Sequence, residues 1–249
     1  MSDQPQKEIE QGFMSHLIEL RSRLLRMAVA IIVLFLCLMP FASEIFDLVA
    51  APMMNALPQG SKMIATGIIT PFLIPVQFVL LLAFVLALPY VLYQAWGFIA
   101  PGMYTNEKRL VVPLIVSSTV LFFVGMAFCY FLVFGTVFKF IQQFAPQSVS
   151  VAPDIESYFG FVITMFLAFG VTFEVPIVVV VLVRVGLVSV EKLRQIRSYV
   201  IVGAFVIAAI VTPPDVMSQL LLAIPLCLLY ELGLLAAPFF VRSGKSGPE

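Results

Sequence analysis

Six apolar runs, at about 24–43, 72–100, 110–141, 157–183, 199–213 and 217–238, fill most of this chain of 249 residues. Five of them reach the ~20 residues that a helix needs to cross a hydrocarbon core. The fifth in order has about 15, roughly 22 Å of helix against a core near 30 Å, and must thin the bilayer or lean on its neighbours. Only 11% of the residues are charged and 61% are hydrophobic, whereas a soluble domain carries about 25% charge. The expected fold is therefore all-α: a single integral membrane domain over 1–249 with six transmembrane helices. The polar, acidic start of the chain has neither the basic region nor the cleavage site of a signal peptide. Cys37, Cys129 and Cys227 lie within apolar runs and read as packing residues.

Orientation follows from the basic residues. Lys7, Arg21, Arg23, Arg26, Lys108, Arg109, Arg184, Lys192, Arg194, Arg197, Arg242 and Lys245 fall on one side, and only Lys62 and Lys139 on the other. The positive-inside rule then puts both termini in the cytoplasm. The loops 44–71 and 142–156 and the turn Thr212-Pro-Pro-Asp215 lie outside. Loop 44–71 opens with an amphipathic pattern, Ile45, Phe46, Val49, Met53 and Leu57 at helical spacing, with Ser43 as its expected N-cap. Pro52 is expected to kink or divide that helix, and any carbonyl freed by a proline beside the membrane needs another partner.

Three acidic residues stand out. Glu174 is the one charge in the run 158–183, and a carboxylate at membrane depth costs at least ~2.5 kcal/mol unless it faces protein or water. It reads either as a functional group, which burial would favour in its protonated form, or as an interhelical clamp bonded to Gln94, Gln219 or Glu231; nearby Gly170 permits close helix approach. Glu19 lies on an amphipathic approach helix for which Ser15 is a plausible cap, four residues before Arg23, the favourable order for an ion pair. Glu107, in the loop after Phe98, favours the start of the third span through the helix dipole. Each of these two is alternatively a cytoplasmic carboxylate open to a cationic ligand, and guanidinium satisfies such a pair better than ammonium. Catalysis is poorly supported: His16 is the sole histidine, and no zinc, nucleophile-elbow or Walker motif exists. No metal site, cofactor or nucleic-acid surface is expected.

Six segments in order resemble the TatC family of twin-arginine translocases: His16-Leu-Ile-Glu-Leu-Arg-Ser-Arg-Leu24, Met63-Ile-Ala-Thr66, Leu92-Tyr-Gln-Ala-Trp-Gly-Phe-Ile-Ala-Pro101, Glu107-Lys-Arg-Leu-Val-Val-Pro113, Ala168-Phe-Gly-Val-Thr-Phe-Glu-Val-Pro176 and Thr212-Pro-Pro-Asp-Val-Met-Ser-Gln219. The match is similar to enterobacterial-type members. It implies a concave, glove-like bundle in the bacterial inner membrane. It also implies a cytoplasmic surface of Glu19, Phe98 and Glu107 that receives the Arg-Arg motif of signal peptides. Glu174 and Gln219 are implied as polar sites for a partner helix, and Pro52 and Asp215 as functional positions on the outer side. The implied partners are twin-arginine signal peptides of folded precursors, TatA- and TatB-type single-span subunits, further copies of the chain and membrane lipids. The proton motive force supplies the energy in such systems. Gly102 departs from the alanine usual in the family. The competing function is a proton-coupled small-molecule transporter that uses Glu174, although no inverted repeat accompanies it.

Overall fold

The computed structural model describes residues 4–57, 62–99, 111–144, 152–212 and 215–241. Among these the chain is helical, without strands and with one isolated parallel bridge between Ile64 and Asp154. Apolar helical stretches run over Leu17–Ala56, Thr70–Ala95, Val112–Gln143, Ile155–Arg184 and Val216–Phe239, with a shorter one at Arg197–Val211. The chain forms two compact units, Met1–Ala42 with Val76–Thr119, and Ser43–Pro75 with Val120–Glu249.

In the first unit, helix α1 spans Gln4–Leu38. It begins well before Ser15, which is therefore not its cap. The Gln, Lys and Glu residues between Gln4 and Ser15 are good helix formers, and no proline interrupts them after Pro5. No described side chain of α1 is fully buried. A 3₁₀ turn at Met39–Phe41, with Pro40 inside it, leads straight into α2, Ala42–Ala56. Ser43 consequently sits inside the first turn of α2 rather than at its cap. The first unit also holds most of α3, Thr70–Ile99, and the start of α4, Val111–Phe128.

In the second unit, α4 continues through a π-helical turn, Cys129–Phe134, into α5, Gly135–Phe144. Helix α6, Ile155–Arg184, packs against this segment and, most extensively, against α9, Val216–Val241. Small and large residues interlock where α4 meets α6. A Cβ on Gly125 would lie 2.6 Å from the Phe169 carbonyl oxygen, and one on Gly170 would lie 2.5 Å from the Phe122 ring. Phe128 meets Phe169 and Phe173 at centroid distances of 5.7 and 5.6 Å. Farther along, Phe134, Phe138, Phe161, Phe166 and Tyr158 form an aromatic cluster. On the α9 side, a Cβ on Gly233 would sit 3.0 Å from the Pro176 Cα. Val179, Val183, Leu193, Tyr230, Leu234 and Ala237 build the core beyond it.

Helix ends follow local chemistry. At the end of α6, Gly186 adopts φ +77°; its N–H donates to the Val183 carbonyl at 3.1 Å, and that of Leu187 to the Leu182 carbonyl at 3.1 Å. This is the paired bonding of a Schellman stop, which requires a left-handed residue there. Ser189 caps the short α7, Val190–Gln195, which leads to α8, Arg197–Val211. At 15 residues, α8 is only ~22 Å long. Its buried residues are the small Ala204 and Ala208, through which a helix can approach closely.

Asp154 starts α6. Its carboxylate accepts the Ser157 N–H at 3.0 Å and the Thr66 hydroxyl at 2.9 Å. The Ile64 N–H donates to the Pro153 carbonyl and the Ile155 N–H to that of Ile64. The Met63–Thr66 motif thus fastens the α2–α3 connection to the start of α6. The Ser157 amide and then the Thr66 hydroxyl hold the Asp154 carboxyl below its ordinary value of 3.8. The resulting stability is present above that value and is lost as pH falls through the lower folded-state pKa. Thermal unfolding in detergent should therefore show an acid-dependent loss that sets in below about pH 5 and continues below 3.8, and that Asp154→Asn diminishes, since Asn caps well but does not titrate. An identical acid response in the variant would assign that loss to other carboxylates.

Candidate functional site

Within the first unit, Glu19 lies on α1 one turn before Arg23, and the expected ion pair is present at 2.6 Å. Both Arg23 Nε and Nη2 donate to Glu19 Oε1, at 2.9 and 2.6 Å. The same guanidinium reaches the end of α3. Nη1 donates to the Gln94 carbonyl at 3.3 Å and to Gln94 Oε1 at 3.2 Å, and Nη2 donates to the Gly97 carbonyl at 3.0 Å. Gln94 Nε2 in turn donates to the Tyr90 hydroxyl at 2.8 Å. Gly97 is among the last four residues of α3, whose carbonyls lack partners within the helix and attract cations, so the seat suits an arginine. Phe98, half-buried, is the next residue after Gly97. Glu19 is thereby tied to the turn that carries Phe98. Glu107 lies outside the described residues.

Sequence reasoning found the Glu19–Arg23 pair but assigned Gln94 to a different role. Its side chain is buried and serves Arg23 and Tyr90. Gly97 carries no signal of its own in the sequence, yet a Cβ there would lie 2.4 Å from Arg23 Nη1. Only glycine leaves room for the guanidinium.

The membrane-depth residues belong to the second unit. Glu174 is half-buried on α6, between Val171 and Val178, which are 63% and 52% exposed. Its Oε1 is buried, so the carboxylate is partly enclosed by the chain's own packing beside an otherwise exposed strip of α6. The other two suggested partners are engaged elsewhere: Gln219 Nε2 donates to the Phe205 carbonyl at 3.3 Å, and Glu231 accepts from Arg197 Nη2 at 2.6 Å. Asp215 begins α9. Its carboxylate accepts the Ser218 N–H at 2.6 Å and its carbonyl accepts the N–H of Gln219. It is the capping aspartate that an Asp-x-x-Ser sequence favours.

Pro52 lies inside a continuous α2 and does not divide it. A proline at this position cannot donate to the Leu48 carbonyl. That carbonyl instead accepts the Tyr130 hydroxyl at 2.7 Å, and the next one, of Val49, accepts the Tyr158 hydroxyl at 2.7 Å. Tyr130 comes from the π-helical turn and Tyr158 from the first turn of α6. The freed backbone acceptor thus finds a side-chain donor, and two helices are pinned to α2 in the process. Neither tyrosine was singled out by sequence, because the pairing joins segments 82 and 109 residues apart.

Comparison with known proteins gives a consistent result. The family model described as "Sec-independent protein translocase protein (TatC)" matches residues 15–225. A protein of that name from Escherichia coli (strain K12) is 51% identical over 242 residues, 97% of this chain and 94% of that protein. Another, from Haemophilus influenzae, is 50% identical over 230 residues, 92% of this chain and 90% of that protein. A solved structure described as the twin arginine translocase receptor TatC superposes with a TM-score of 0.79 at 38% identity, over 91% of this chain and 100% of that one.

Proposed function

Since the chain belongs to the TatC family of Sec-independent protein translocase proteins, we propose that it receives twin-arginine signal peptides at the cytoplasmic face of the bacterial inner membrane. It is a multi-pass membrane transport component and not an enzyme. Glu19, Phe98 and Glu107 form the receiving surface, and both termini lie in the cytoplasm, where the positive-inside rule puts twelve of the fourteen basic residues. Glu174 and Gln219 meet a partner helix of the TatA or TatB type or an inserted signal peptide. Pro52 and Asp215 act on the outer side through the helix geometry they impose. Several copies assemble, lipids surround them, and the proton motive force drives export of folded proteins.

The observation that carries this reading is the Glu19 carboxylate held by Arg23, whose guanidinium docks at the end of α3. A charge-assisted bond to a second guanidinium is the chemistry that such an acid offers, and ammonium supplies it with poorer geometry. Glu107→Lys should therefore weaken binding of a synthetic Arg-Arg signal peptide more than of its Lys-Lys counterpart. Fluorescence anisotropy on the purified protein in nanodiscs reads both affinities, and equal losses for the two peptides would sink the proposal.

A further inference from the structure

The geometry points to Arg23 as a positioning residue that fixes the Glu19 carboxylate for an incoming guanidinium. This rests on the proposed role of Glu19 and goes beyond it. Helix α1 buries no described side chain completely, so apolar packing alone holds its register weakly. Arg23 supplies the missing constraint by spanning two helices with one rigid fork: two bonds to Glu19 Oε1 on one side and three to Gln94 and Gly97 on the other.

The direction of those bonds decides what remains for a ligand. Both donors converge on Oε1, and Oε2 receives no bond from the described residues. The Glu19 side chain is 38% exposed while that of Arg23 is only 20% exposed. The inner oxygen is thus committed and the outer one is presented, at a fixed offset from the turn that bears Phe98. A lysine in place of Arg23 has a single nitrogen and cannot reproduce a planar fork with donors on both sides. Gly97 is part of the device, because a methyl group there would meet Nη1 at 2.4 Å and push the guanidinium from its seat. The opposite role, an internal arginine that competes with the peptide for Glu19, predicts that removing Arg23 tightens binding.

The test measures Arg-Arg and Lys-Lys signal-peptide affinities for the full chain in nanodiscs, with Arg23→Lys, Arg23→Gln, Gly97→Ala and Glu19→Gln. Arg23→Lys and Gly97→Ala should each weaken Arg-Arg binding roughly tenfold, the equivalent of about one charge-assisted bond, while Lys-Lys binding changes far less. Gly97→Ala retains both charged residues, so a collapse of the preference in that variant reports geometry rather than charge. Tighter Arg-Arg binding by Arg23→Gln, or an unchanged preference in Arg23→Lys and Gly97→Ala, would overturn the positioning role. If Glu19→Gln binds the Arg-Arg peptide as the parent does, the receptor reading of Glu19 fails as well. A loss in Glu19→Gln with an intact preference in the other variants removes only the role of Arg23.

Discussion

Gly125→Leu is expected to disrupt the α4–α6 contact and cost ~3 kcal/mol or more, the upper end of what overpacking a helix interface does. The reason is the nature of the obstacle. A Cβ at this position would meet a backbone oxygen, that of Phe169, at 2.6 Å, and the Phe173 ring carbon Cγ at 2.9 Å. A flexible side chain can swing away, but a carbonyl in the middle of α6 moves only with its helix. The Phe128 contacts with Phe169 and Phe173 would be lost together with it. Gly125→Ala has the same direction and a smaller size, because alanine recovers ~1 kcal/mol of helix propensity. Cys129, one turn on and fully buried, reports the opening directly through its rate of thiol modification. Gly203→Ala is the matched control: its added Cβ meets nothing within 4 Å. Equal unfolding temperatures and Cys129 labelling rates for Gly125→Leu and the control would show that the close approach contributes nothing.

What the sequence made legible was whatever acts locally. Apolar runs announce helices because the bilayer leaves the backbone no other donor or acceptor. Glu19 and Arg23 were readable as a pair because four residues is one turn. Gly170 was readable as a point of close approach, though not that Phe122 fills it. Caps proved less reliable. Ser15 and Ser43 are good cap residues, yet both lie within helices, since the residues before them also favour or tolerate helix and a serine inside costs only a few tenths of a kcal/mol. The long-range polar bonds were beyond reach. Arg23 meets Gln94 and Gly97 across 71 and 74 residues, and nothing in local spacing encodes which carbonyl an arginine will find.

Pro52 joins the two kinds of information, and it makes the second large effect predictable. Its type alone says that the Leu48 carbonyl loses an amide donor; only the fold shows that Tyr130 replaces that donor and that Tyr158 takes the next carbonyl. Tyr158 is 3% exposed and its bond is buried, so Tyr158→Phe removes a hydrogen bond that water cannot replace, at a cost of ~1 kcal/mol or somewhat more. Tyr130→Phe should cost less, because its bond lies at an exposed position. A double-mutant cycle separates the causes. Pro52→Ala returns an N–H to position 52 that can bond the Leu48 carbonyl, so Tyr130→Phe should lose most of its effect in that background. Tyr158→Phe serves a different carbonyl and should keep most of its own. Unfolding free energies in detergent for the four combinations with each tyrosine give the coupling. Additive costs for Pro52→Ala and Tyr130→Phe would mean that the hydroxyl does not stand in for the proline's absent N–H. In that case, the pinning of α2 to the π-helical turn would rest on packing alone.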